Sequence, residues 1–382
     1  MRIYLDHNAT TPVRDEVADA MAATLRGCFG NPSSVHAEGA AARAEVERAR
    51  ERVAGLLGCE PREVLFTAGA TEANNTALGP LLRAWAGGKR HVVSSNAEHP
   101  SVEEPLAALE REGWRVTRMP VSRDGLLDPE RLAASIGPDT ALVTLLWANN
   151  ETGVVQPMAC LAALARERGV RIHADATQCL GKLPVDLESV PLDALSLSAH
   201  KLGGPKGVGA LVVRGDPSFE ALLRGGPQER RRRGGTENVP GIVGLGAAAA
   251  LAARELAEKS REHARLRDRL WDGIAAKVPG VSRTGDPEHV LANTLNLAFR
   301  DTPGELLLQA LDVEGIAVSA GAACASGSVE PSHVLVAMGF SKAEARGTLR
   351  FSVGHGTDEA QIDAVLALLP DLVARARAAR KA

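Results

Sequence analysis

Short apolar runs alternate with segments of helical period along most of this chain, and that alternation constrains the fold more than any other feature. Runs at Val64–Thr67, His91–Ser94, Trp114–Met119, Leu142–Trp147, Val170–His173, Leu192–Leu197 and Val208–Val213 read as strands. Helical patterns lie between most of them, notably at Thr71–Ala84, Val102–Arg111 and Met158–Arg168, and two more precede them at Arg14–Leu25 and about Ala40–Leu57. Such alternation predicts a mainly parallel sheet with helices on both faces. A long helical stretch from about Ile242 to Lys277 then breaks the pattern. Beyond it lie strands at Thr294–Phe299, Ile316–Ser319 and Thr348–Val353, with helices at Pro303–Val313, near Ser332–Met338 and from Asp358. At 382 residues the chain exceeds what one core supports. The expected division is a large domain over residues 14–255 and a smaller α+β domain formed by 1–13 plus 256–382.

Composition narrows the function classes. Hydrophobic residues make up 45% and charged residues 24%, with a net charge of -3, so nothing draws the chain to nucleic acid or an anionic membrane. Its first residues lack the apolar core of a secretory signal. The most apolar window, Gly241 to Ala253, is far shorter than the ~20 residues of a membrane span and reads as the start of a soluble helix. The cysteines, Cys28, Cys59, Cys160, Cys179 and Cys324, are odd in number and widely spaced, with no Cys-x-x-Cys pair. A disulfide framework is not expected, and a reducing cytoplasm is.

In a parallel α/β sheet, ligands bind outside the carboxyl ends of the strands, and polar groups gather at those positions here. Lys201 follows a buried strand and precedes a Gly/Pro-rich turn. Alone it is a solvated loop lysine, but in suitable surroundings it forms a Schiff base. Thr67-Ala68-Gly69-Ala70-Thr71-Glu72 opens a helix, either as an ordinary cap or as an anion cradle of backbone N–H groups. His99 follows another strand, suited to lying against a ring or moving protons. Asn149 and Asn150 follow the most hydrophobic strand. Asp175 leaves a buried strand, where a carboxylate needs a cationic partner. A metal is one candidate, although His173-x-Asp175 has no further ligand set; a protonated pyridine nitrogen is another. That nitrogen, a Schiff-base lysine and an anion cradle are together what pyridoxal phosphate requires.

At this point the motifs resemble a known family nearly end to end. They include Tyr-Leu-Asp-His-Asn-Ala-Thr-Thr-Pro from Tyr4, Asn-Pro-Ser-Ser-x-His at 31–36, Gly-Ala-Thr-Glu at 69–72 and Glu98-His99. Asn-Asn-Glu-x-Gly follows at 149–153, His-x-Asp-x-x-Gln at 173–178, Ser-x-His-Lys at 198–201, and Arg-x-Gly-Thr-Glu-Asn at 233–238. The chain resembles cysteine desulfurases of the NifS/IscS type, within the class V aminotransferases. The resemblance implies a fold type I pyridoxal-phosphate transferase, with a mainly parallel, seven-stranded-type sheet in its large domain. It implies that Lys201 carries pyridoxal 5'-phosphate covalently, Asp175 pairs with the pyridine nitrogen, Gln178 bonds the phenolic oxygen and His99 stacks on the ring. Ala70, Thr71, Ser198 and His200 would hold the phosphate. Thr236 would reach the partner's phosphate across an obligate homodimer. The run Arg230 to Arg233 would then lie in the interface loop, not in a nucleic-acid patch.

Cys324 is flanked on both sides by Gly, Ala and Ser, which make a poor core and a plausible mobile loop. The resemblance makes it the catalytic cysteine, and its spacing to Arg350 fits the long-loop group of desulfurases. The planar fork of Arg350 suits the substrate α-carboxylate, with Asn150 assisting. The expected reaction converts L-cysteine to L-alanine, leaving a persulfide on Cys324. Its sulfur would pass to an acceptor protein, an iron–sulfur scaffold or a thiolation enzyme. No intrinsic metal is expected, with Cys324 at most a transient iron–sulfur ligand shared with a scaffold partner. The alternatives are a selenocysteine lyase, another class V aminotransferase, or an inactive sulfur-relay scaffold. Two departures from the family pattern are Pro227, where a third glycine is commoner, and a plain basic C-terminal helix without the longer scaffold-gripping tail.

Overall fold

The computed structural model describes residues 2–320 and 331–379. Its centre is a seven-stranded sheet in the order Val64–Thr67, Gly209–Val213, Ala194–Ser198, Arg171–Asp175, Thr140–Leu146, His91–Ser95, Arg115–Met119. Every strand runs the same way except Gly209–Val213, which is antiparallel to both neighbours. Only about ten residues connect it to Ser198, too few for the crossover that a parallel pairing needs.

The central strands are apolar on both faces because both are covered. On Thr140–Leu146, Val143 and Leu145 enter a core built with Val53, Leu57, Leu161 and Leu245, whereas Leu142 packs with Leu78, Leu82 and Leu106 on the other side. Each such side chain, fully buried, contributes roughly 1.5–3 kcal/mol. The first core takes in helices Ala37–Leu57 and Met158–Glu167, and the second helix Pro100–Arg111. The helix expected over Thr71–Ala84 is present but interrupted. It runs Ala70–Thr76, loosens to a π turn over Ala77–Leu81 and resumes at Leu82–Ala86. Pro80 lies inside that turn, and its missing N–H explains the wider spacing.

A smaller antiparallel sheet pairs Thr294–Phe299 with Thr348–Ser352 and Val281–Arg283. Ile3–Tyr4 lies parallel to Ile316–Ala317, which brings the chain's start into this region. Its core joins Leu5, Leu297, Phe299, Phe351, Ile362 and Leu369. Val334, Leu335 and Met338 pack instead on the first core. The helix Val239–Lys277 serves both regions. Its first half is buried at Ile242, Val243 and Leu245 in one core, and its last turns at Leu266, Leu270 and Ile274 in the other. It is long and apolar enough to cross a membrane, yet 56% of its most apolar window is buried inside the protein.

Candidate active site

The strand directions place the carboxyl ends of six strands along one edge of the central sheet, and the sequence-predicted residues lie there. Asp175 and Ser198 end their strands, and Lys201 closes the one-turn helix Ala199–Lys201. His99 caps helix Pro100–Arg111, and Ala70 and Thr71 open the helix after Val64–Thr67. Gly209 faces both Thr67 and Ser198 in the sheet. A Cβ there would sit 2.8 Å from the Gly69 Cα, so only glycine lets the Gly69 turn come this close. Gly69 itself has φ 154°, and a Cβ on it would meet the Ser198 hydroxyl at 3.8 Å, so this turn lies beside Ser198.

Asp175 is 2% exposed. Its Oδ2 accepts from Asn74 Nδ2 at 2.8 Å and its Oδ1 from the Thr177 N–H at 3.0 Å, both neutral donors. No ion pair engages it among the described residues. Asn74 also donates to Ser101 Oγ at 2.9 Å, and Ser101 Oγ lies 2.8 Å from His99 Nδ1. Because Nδ1 also accepts from the Ser101 N–H at 3.1 Å, the network leaves the neutral imidazole's proton on Nε2. Burial lowers the basicity of His99, opposed in part by the charge of Asp175. Below it, burial pushes the Glu98 carboxyl up to about 8, against hydrogen bonds from Ser95 and the Leu146 N–H. His173 has both ring nitrogens engaged, with Thr144 and Ser196 at 2.9 Å each. Burial holds it near 4, so it is a neutral element of the sheet core.

The N-terminal segment lies across Lys201. Lys201 Nζ donates to the carbonyls of Asn8 and Ala9, each at 2.7 Å. The Asn8 carbonyl also accepts from Gln178 Nε2 at 2.9 Å, and its side chain bonds Lys182, Asn293 and Thr294. His200 Nδ1 meets Thr10 Oγ1 at 3.1 Å, and burial followed by the charge of Lys201 lowers it to about 4.

Arg350 is buried, with its fork on Asp6 Oδ1 at 2.5 Å and the Asn150 carbonyl at 2.8 Å. Its Nε is enclosed without a partner among the described residues. Of the two adjacent amides, Asn149 shapes the turn by accepting from the Glu151 and Thr152 N–H groups, while Asn150 meets Arg350. Cys324 lies outside the described residues, but both flanks of its segment are anchored beside the site. Ser319 exchanges backbone hydrogen bonds with Arg350 at 3.1 and 2.7 Å. On the other side, Ser332 Oγ donates to Glu151 Oε2 at 2.5 Å, and His333 Nε2 meets the Glu98 carbonyl at 2.9 Å.

The arginine run is largely committed to partners within the chain. Arg232 pairs with Asp216, Arg233 with Glu72 at 3.0 Å, and Arg230 donates to the Arg62 carbonyl at 2.6 Å. Glu229 accepts from the buried Arg50 at 2.7 and 3.0 Å and from the Phe66 N–H. Those bonds hold Glu229, Arg230 and Arg231 at φ 46°, 57° and 66°, a strained left-handed run of non-glycine residues. Thr236, just beyond, is exposed. Asn74, Ser101, Lys182 and the hub role of Asn8 were not legible as site features from the sequence. The only available hints were Asn8 within its N-terminal motif and Lys182 one turn after Gln178.

A two-region α/β protein with its polar groups on the carboxyl edge of a parallel sheet is the class that this geometry defines. Residues 3–365 match the family model for aminotransferase class V, and the chain belongs to that family. Its fold is that of the fold type I pyridoxal-phosphate enzymes. It is 46% identical to a curated cysteine desulfurase of Trichormus azollae over 376 residues, which cover 98% of this chain and 94% of that protein. Among solved structures it is similar to a NifS-like protein, at 36% identity and a TM-score of 0.92, covering 98% of this chain and all (100%) of the other. It is also similar to SspA in complex with cysteine, at 35% identity and a TM-score of 0.82, covering 92% and 99%.

Proposed function

We propose that the protein is a cysteine desulfurase that uses pyridoxal 5'-phosphate to convert L-cysteine to L-alanine and deliver the sulfur to an acceptor. The observation that carries this reading is the meeting of Asp175, His99, Gln178 and Lys201, from separate elements, at one sheet edge. The site fits the cofactor's chemistry. A buried Asp175 with only neutral donors suits a pyridinium nitrogen, and the Gly69 turn that opens a helix beside the Ser198 hydroxyl suits a phosphate. When bound, the cofactor supplies an electron sink for charge left at the substrate Cα.

The chain's own residues do the rest. Asp175 would hold the cationic nitrogen, Gln178 the phenolic oxygen, and Ala70, Thr71, Ser198 and His200 the phosphate. Lys201 would hold the cofactor, and its Nζ is placed to take the proton from the substrate Cα. Arg350 and Asn150 hold the substrate α-carboxylate, which takes the place of Asp6 on the fork. The Cys324 thiolate attacks the substrate sulfur, forming an S–S bond as the C–S bond breaks, and protonation of the carbon gives alanine. The persulfide passes its outer sulfur to the thiol of an iron–sulfur scaffold or thiolation enzyme. We read the active unit as a homodimer in which Thr236 serves the partner's phosphate site. Support comes from the exposure of Thr236 beside a loop pinned by the Arg50–Glu229 pair.

The test is alanine production from cysteine by the loaded protein. Lys201→Ala should lose the cofactor's visible absorbance, and Cys324→Ala should keep it while losing alanine formation. Full turnover of cysteine by Cys324→Ala sinks the nucleophile assignment, and turnover of selenocysteine alone by that variant favours a lyase.

A further inference from the structure

Lys182 is a buried lysine that the reading above does not use. It follows Gln178 by one turn, and its Nζ donates to Asn8 Oδ1 at 2.9 Å and to Gln178 Oε1. Gln178 Nε2 and Lys201 Nζ in turn both donate to the Asn8 carbonyl, at 2.9 and 2.7 Å. The four residues thus form one hydrogen-bonded group through the Asn8 side chain and main-chain carbonyl, with a lysine at each end. We propose that Lys182 is a positioning residue for Lys201: from behind, it fixes the Gln178 amide and the Asn8 turn whose carbonyl receives the Lys201 amine. The inference rests on the assignment of Lys201 as the cofactor's lysine.

Two physical arguments support it. An amide has two orientations, and a donor on its oxygen together with the Asn8 carbonyl on its nitrogen holds Gln178 with its N–H groups toward Asn8 and the site. Lys182 is that donor. The second argument is charge. Burial, and then the neighbouring Lys201, lowers Lys182 well below an ordinary lysine. The repulsion is mutual, so a proton on either amine opposes one on the other. The other groups facing Lys182 do not relieve this. Arg350 adds positive charge, the Cys179 thiol is pushed up by burial, and His7 and His263 are each held near 4, chiefly by burial. Lys182 and Lys201 also line one cavity of about 90 Å³ with His7, His263 and Asn293.

The experiment follows the visible absorbance of protein loaded with pyridoxal phosphate as pH is varied, in wild type, Lys182→Met and Lys182→Gln. The methionine variant removes donor and charge together. Its midpoint should rise by about one pH unit, a tenfold change in proton affinity. The glutamine variant keeps a donor without the charge, and its midpoint should fall between those of wild type and Lys182→Met. Midpoints equal to wild type in both variants overturn the proposal. If Lys182→Met does not fold, the midpoint of Lys182→Gln decides alone, with equality to wild type again overturning it. Borohydride reduction of the loaded wild type, followed by peptide mass analysis, tests the underlying assignment separately. Cofactor absent from Lys201 there refutes that assignment rather than the role of Lys182.

Discussion

Replacing Glu98 with glutamine should make the protein's stability less sensitive to alkali, by an amount the structure sets. The Glu98 carboxyl is enclosed, and burial raises it from an ordinary carboxyl's 4.5 to about 8 in the folded state. The sign follows from linkage. Between those two values the unfolded chain has released this proton and the folded chain has kept it, so stability falls as pH rises. Each pH unit well inside that window costs about 1.4 kcal/mol, and with the partial ionisation near each end the loss between pH 5 and pH 8 is about 3.5 kcal/mol. Glu98→Gln keeps an acceptor for the Ser95 hydroxyl and the Leu146 N–H but has no proton to lose. Urea unfolding of both proteins at pH 5, 6.5 and 8 reads the difference. The variant should gain on wild type steadily across the series. Parallel stabilities would show that Glu98 ionises like a surface carboxyl, and the burial argument would be wrong.

Other outcomes are expected at the site itself. Asn74→Ala removes the donor shared by Asp175 and Ser101, and should cost about 2 kcal/mol in urea unfolding, as for a hydrogen bond to a charged group. Gly209→Ala should drive the Gly69 turn off the sheet, seen as weaker retention of pyridoxal phosphate on dialysis with the fold intact by circular dichroism. Arg350→Lys loses the planar fork, so KM for cysteine should rise at least tenfold with a smaller change in kcat. Asp6→Ala strands a buried guanidinium and should lower stability by about 3–5 kcal/mol, while Asp6→Asn keeps an acceptor and should lose less.

Much of the architecture was legible because burial on both faces leaves continuous apolar runs. Val64–Thr67 and Thr294–Phe299 are observed with the same limits that the sequence predicts. The reversed direction of Gly209–Val213 does not follow from its own residues, which are as apolar as those of its parallel neighbours; only the short link before it carries that information. The two-residue strand Ile3–Tyr4 has no periodicity to detect. At the site, Asp175, His99 and Lys201 stand out because polar residues at the ends of apolar runs are anomalous. Asn74 and Ser101 look like ordinary helix residues, and their role exists only through Asp175 and His99, 101 and two positions away. Arg350 reads as an open fork in the sequence, and the structure shows it already engaged by Asp6.

The helix Val239–Lys277 has a mechanical consequence. At 39 residues it is about 58 Å long, and no residue from Ala252 to Arg265 is fully buried, so its middle, tied by the Arg14–Glu255 pair, is held less tightly than its two ends. Load or local melting at one end is transmitted to the other through a single continuous hydrogen-bonded ladder. The two cores should therefore lose amide protection together in hydrogen exchange, as one cooperative unit. A proline at an exposed mid-helix position such as Ala257 should uncouple them into two unfolding steps.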